Sequence, residues 1–170
     1  MNTATTTALG LLLIAIAGPA CASPGQAVMT WQSPEKFTDI EPGNGTKRGY
    51  HKAIQRSLNK ELAGMAAKLP DGYTFEIDFT DIDLAGEIDP VELPGNYRLR
   101  LLKEVYFPSM RFNYRVLDAS GAAVAEQKDV RVTDMSFLNN ASRANSSADF
   151  YYETRMLKDW FGKNVLTTLK

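Results

Sequence analysis

The stretch Met110-Arg111-Phe112-Asn113-Tyr114-Arg115-Val116 alternates apolar and polar residues without a break, the period of two that a strand with one buried face requires. Asp118-Ala119-Ser120-Gly121 then supplies turn chemistry, and Ala123 to Val132 returns as a less regular strand, so the two make a β-hairpin. Working outward, Tyr97, Leu99 and Leu101 alternate with Arg98 and Arg100 and predict another strand ahead of the break at Pro108. Tyr73, Phe75, Ile77 and Phe79 alternate with Thr74, Glu76 and Asp78 in the same way. That alternation slips at Asp81, because Ile82 and Leu84 have the opposite parity to Phe79; the strand must bulge or end there. Gly86 and Pro90 predict a loop over Ala85 to Asn96.

Two segments carry the helical period instead. Tyr50, Ile54, Leu58, Leu62, Met65 and Leu69 recur every three or four residues and predict a helix over about Thr46 to Leu69, stopped by Pro70-Asp71-Gly72. Ser146-Ser147-Ala148-Asp149 offers a capping-box-like start to a last helix, whose apolar face is Phe150, Leu157, Phe161 and Val165 with Met156 and Trp160 alongside. A short first strand is expected over Ala27 to Gln32. The Pro-, Gly- and Asn-rich stretch Ser33 to Arg48 is expected to be a loop anchored only by Phe37 and Ile40. The predicted fold is α+β, a two-layer sandwich in the order β-α-β-β-β-β-α. A mostly antiparallel, four- to five-stranded sheet carries both helices on one face.

The first residues differ from the rest. No charged side chain precedes Glu35, and Leu9 to Ala17 is almost wholly aliphatic. That run is too short to span a bilayer but has the length of a secretory h-region, and Ala20-Cys21-Ala22 supplies an A-x-A cleavage pattern before Ser23. The expectation is a signal peptide over 1–22 and a single domain over 23–170, exported to the periplasm, with a rival cut after Ala27. Cys21 is the sole cysteine; Gly18-Pro19-Ala20 before it lacks the Leu-like residue of a lipobox, so removal with the signal peptide is preferred to lipidation. The mature chain then has no disulfide to hold it and no transmembrane segment.

The 170 residues carry a net charge of -1, and the sequence pI of about 5.9 removes the general positive field that non-specific nucleic-acid binding needs. His51, the single histidine, falls on the polar side of the first helix, where a solvated surface residue is expected. With no second base in reach of a nucleophile pattern, and no G-x-S-x-G, H-E-x-x-H, P-loop or G-x-G-x-x-G, neither catalysis nor a cofactor is indicated.

Three candidate surfaces remain. Asp78, Asp81, Asp83, Glu87 and Asp89 form an acidic run with the hard oxygens that Ca²⁺ prefers. The spacing fails the EF-hand pattern after Asp83, so Asp81, Asp83 and Glu87 are candidate metal ligands, or with Asp78 a hydrolytic carboxylate site. The alternative is that they satisfy backbone donors at the strand end. Lys47, Arg48, Lys52, Arg56 and Lys60 on the first helix, with Arg98, Arg100, Arg111 and Arg115 on the strands, suit an anionic lipid surface; the alternative for the arginines is pairing with Glu76 and Asp78 across the sheet. Tyr152, Met156 and Trp160 widen the apolar girdle of the last helix and are candidates for a partner surface, the alternative being core packing.

Thr30-Trp31-Gln32-Ser33-Pro34-Glu35-Lys36-Phe37-Thr38-Asp39-Ile40, Thr80-Asp81-Ile82-Asp83-Leu84-Ala85-Gly86 and Tyr152-Glu153-Thr154-Arg155-Met156-Leu157-Lys158-Asp159-Trp160-Phe161 together resemble the family of exported bacterial proteins catalogued as domain of unknown function 3016. The resemblance implies a signal peptide and an envelope location and brings no activity or site residues. The functional expectation is a non-catalytic binding or envelope-assembly module with an envelope protein partner. The alternatives are the acidic metal site or hydrolase and the lipid-surface binder.

Overall fold

The computed structural model describes residues 23–91, 94, 98–139 and 149–169. Four strands form the main sheet: β1 (Gln26–Trp31), β2 (Thr74–Asp83), β5 (Ser109–Leu117) and β6 (Ala123–Thr133), in the order β1-β2-β5-β6. Between β2 and β5 lie two two-residue strands, β3 (Glu87–Ile88) and β4 (Arg100–Leu101), which pair only with each other. Helix α1 (Lys47–Ala66) joins β1 to β2, and α2 (Tyr151–Asn164) follows β6.

Two of the three pairings in the main sheet are antiparallel, as the clean alternation predicts. β1 and β2 run parallel, because the crossover between them carries a whole helix. The strand expected over Tyr97 to Leu101 does not join this sheet. Residues 95–97 lie outside the described part, Leu99 is exposed, and only Arg100 and Leu101 pair, with Ile88 and Glu87. Both edges of β2 are already taken, by β1 and by β5, so the alternating segment has no place beside it. The sheet therefore has four strands, and a separate small ribbon stands at its end.

The parity slip at Asp81 is a β-bulge. Register shifts between Phe79 and Asp81, the strand continues to Asp83, and Ile82 and Leu84 regain the helix face fully buried. Asp39 extends this end of β2: its amide donates to the Ile82 carbonyl at 3.1 Å and its carbonyl accepts from the Leu84 amide at 3.0 Å. Phe37 and Ile40 on either side of it are buried, the two anchors expected of this loop.

The core lies between the helices and one face of the sheet. Ile54, Leu58, Leu62 and Met65 of α1 face inward, and the Thr46 hydroxyl caps the helix by accepting from the Gly49 amide at 3.1 Å. From α2, Phe161 meets Phe75 edge-to-face with centroids 5.0 Å apart. The start of α2 departs from the capping-box expectation. Ser146 to Ala148 lie outside the described residues, and the helix begins at Tyr151 after Phe150, a left-handed N-cap (φ 57°) with no side-chain cap.

Candidate functional site

The acidic run is divided among separate tasks. Asp78 projects from the open face of the sheet, where its carboxylate accepts from the Thr30 hydroxyl at 2.7 Å and from the Gln32 side-chain amide. Asp81 accepts from both the amide (2.7 Å) and the hydroxyl (2.8 Å) of Thr38, which fixes the loop after β1 to the bulge of β2. Asp89 caps a local turn through the Val91 amide. Asp83 shares an acidic cleft of about 570 Å³ with Asp39, Glu41 and Glu87. Burial, then the charges of Asp39, Asp81 and Glu87, push its carboxyl up to about 6. Among the described residues no three histidine, cysteine or carboxylate side chains converge as a metal ion requires. Asp81, a candidate ligand, is spent instead on backbone and hydroxyl donors.

The basic residues separate in the same way. Arg115 pairs with Glu76 at 2.6 Å across β5 and β2 and so follows the pairing alternative, whereas Arg111 lies 3.5 Å from Asp129 of β6 rather than from Glu76 or Asp78. Arg48, Lys52, Arg56 and Lys60 stay exposed along α1. Of the candidate partner surface, Met156 is 4% exposed and belongs to the core. Trp160 spends its ring edge-to-face on Phe112 (4.7 Å) and Tyr114 (5.1 Å), and Tyr152 packs on Phe137 at 4.9 Å. The Trp160 contacts fill the space between α2 and the sheet and Tyr152 packs on the turn after β6, so the three residues do not form one exposed surface. His51 is half-buried rather than solvated: its ring lies 6.4 Å from that of Trp31, and its Nε2 has no hydrogen-bond partner among the described residues.

The residues that do converge are grouped by no sequence pattern: Arg100 stands among the basic candidates, Tyr50 on the apolar stripe of the first helix, and Glu153 carries no candidate role. Arg100 reaches inward from β4 and grips both oxygens of Asp39, at 2.7 and 3.1 Å; the same guanidinium donates to the carbonyls of Gly86 (2.9 Å) and Glu41 (2.9 Å). Burial alone would lower the Arg100 pKa, but the Asp39 contacts outweigh it and hold the group above its usual value. From the first turn of α2 comes Glu153, 4% exposed, whose Oε1 accepts from the Ala85 amide at 2.7 Å. Burial raises the pKa of Glu153, and burial likewise raises that of Tyr50, whose hydroxyl sits beside Arg100.

These groups border a cavity of about 260 Å³ at the head of α2, walled by Tyr50, Phe150, Tyr151 and Tyr152 around Glu153 and Arg100. Gly86 makes the approach possible. It has φ +85°, and a Cβ there would stand 2.7 Å from the Leu101 carbonyl oxygen and 3.0 Å from Arg100 Cγ. One sequence signal did mark the spot: Glu153 occupies a position between Phe150 and Leu157 on the apolar stripe of α2, where a charge needs a buried partner.

A family model described as protein of unknown function (DUF3016) matches residues 25–163. The chain belongs to the DUF3016 family. No curated protein matches it. The three segments that carry the resemblance meet at the Arg100 junction of this DUF3016 domain. Asp39 stands next to the end of the first, Ala85 and Gly86 close the second, and Glu153 lies near the start of the third.

On the opposite face of the DUF3016 sheet a trough of about 700 Å³ with mixed polar and apolar walls runs over the strands. Asp78 is held there by Thr30 of β1 and lies 3.5 Å from the Asn113 amide nitrogen, while Asn113 accepts at 3.0 Å from the amide of Asp129, the left-handed residue (φ 52°) at the β6 bulge. This chain of hydrogen bonds links all four strands and uses the polar groups on each other.

Proposed function

We propose that this chain is an exported periplasmic protein that binds a small polar molecule without transforming it, and that the site is the cavity at the head of α2. The observation that carries the reading is the convergence of Tyr50, Arg100 and Glu153, three groups with displaced pKa values, on one aromatic-walled cavity. At the roughly 30 Å³ that a water takes in the liquid, the space suits a ligand of about eight or nine non-hydrogen atoms. Binding rather than catalysis is supported by His51, whose ring is turned onto Trp31 and lines no part of the cavity. Export is supported by the aliphatic run Leu9 to Ala17 and the small residues up to Ala22.

Native mass spectrometry of the protein purified from its own envelope tests this reading. A bound species of low mass is expected in the wild type and absent in Leu102→Trp, which fills the cavity from its exposed rim. An unliganded wild type, or a species retained by that variant, would remove the cavity as the site.

A further inference from the structure

We infer that the outer face of α1 docks the protein on an anionic lipid bilayer. Arg48, Lys52, Arg56 and Lys60 follow one another at intervals of four residues and are all exposed, while Ile54, Leu58, Leu62 and Met65 are buried on the opposite side. At 1.5 Å per residue the row is about 18 Å long on a rigid helix. The two ion pairs that involve α1 use Lys47 with Glu41 and Glu61 with Lys158; among the described residues none pairs with the four cations of the row. Each i,i+4 step in the row sets like charges beside each other, which works against the helix unless an anionic surface faces it.

The rest of the molecule sharpens the contrast. Net charge is -1, yet α1 exposes five cations, Lys47 and the four of the row, against the single half-buried carboxylate of Glu61, and the acidic residues Asp81, Asp83 and Glu87 gather at the end of β2 and in the ribbon. The row winds by about 40° per step, so that its four long, flexible side chains span about 120° of the outer face of α1, with small residues such as Gly49 and Ala63 among them, an arc from which they can reach a plane of phosphate head groups. No described helix is long and apolar enough to cross a membrane, so the association is with the surface. It is independent of the cavity, which opens at the head of α2.

Co-sedimentation of the purified protein with phosphatidylcholine vesicles, with and without phosphatidylglycerol, tests the inference. Binding is expected only to the anionic vesicles. It should be lost when salt rises from about 0.1 M to about 1 M, where the screening length falls from about 10 Å to about 3 Å. Lys52→Gln with Arg56→Gln, both on the exposed face of a helix whose buried side is untouched, should lower partitioning about 25-fold at an unchanged helical circular-dichroism signal. Lys128→Gln on the opposite side of the sheet should leave it within twofold. Equal binding to neutral vesicles, or equal loss in the Lys128 variant, would each overturn the assignment to a lipid surface.

Discussion

Glu153 Oε1 accepts a hydrogen bond from the Ala85 amide at 2.7 Å, so the first turn of α2 is tied to the loop that leaves β2 by a carboxylate 4% exposed. The consequence separates two substitutions. Glu153→Ala leaves the Ala85 donor buried and unmet, at a cost of about 2 kcal/mol in urea denaturation. Glu153→Gln keeps an acceptor oxygen and sheds the charge that burial opposes, so it is expected within about 1 kcal/mol of wild type at pH 7 and to gain on it as pH rises. Equal losses for the two variants would show that the bond to Ala85 is not what matters.

Arg100 makes the second test of the junction. Its fork holds both Asp39 oxygens and two carbonyls, with both side chains largely buried (17% and 15% exposed). Lysine has the charge but not the fork, and it cannot serve four acceptors in that plane. Arg100→Lys is therefore expected to lose about 2 kcal/mol in chemical denaturation and Arg100→Ala about 3 kcal/mol, since Asp39 is then left without its partner. A lysine variant as stable as wild type would reduce the interaction to simple charge pairing.

The main elements were legible in the sequence and the junction was not, for a physical reason. The period of Ile54, Leu58, Leu62 and Met65 and the alternation of Met110 to Val116 are local patterns that report which face is buried. The pattern Tyr97, Leu99, Leu101 is just as local, but joining a sheet depends on a free edge, and β2 has none. Arg100 therefore turns inward to Asp39, 61 residues away, a contact that no periodicity encodes. Among the acidic residues, composition identified a cluster, whereas the loop that donates to Asp81 through Thr38 decided what that residue does.

Gly86 and Gly121 allow strain and contact to be told apart. Both have φ near +84°, but a Cβ at Gly121 meets nothing within 4 Å, whereas one at Gly86 falls 2.7 Å from the Leu101 carbonyl oxygen and 2.9 Å from Leu102 Cδ2. Gly121→Ala should cost about 1 kcal/mol, the penalty of the left-handed conformation alone. Gly86→Ala should cost about 2 kcal/mol more, because the β3–β4 ribbon must move away from the loop. Equal losses in thermal denaturation would mean that the ribbon yields freely.

Asp83 gives a pH dependence with a definite sign. Its carboxyl is raised from 3.8 to about 6, by burial first and then by Asp39, Asp81 and Glu87, with Arg100 opposing. A folded pKa above the unfolded one means that the native state binds this proton more tightly. The stability it brings is complete below about 3.8 and is lost as pH rises through about 6. The full shift converts at about 1.4 kcal/mol per unit, but the side chain is partly exposed and screened, which reduces the effect to about 1 kcal/mol. Asp83→Asn has no charge to accommodate beside the other three carboxylates. Its urea midpoint should coincide with that of wild type near pH 4 and exceed it by about 1 kcal/mol equivalent near pH 7.5. A difference that stays constant between those two pH values would show that Asp83 ionises in the folded protein as freely as in the unfolded chain.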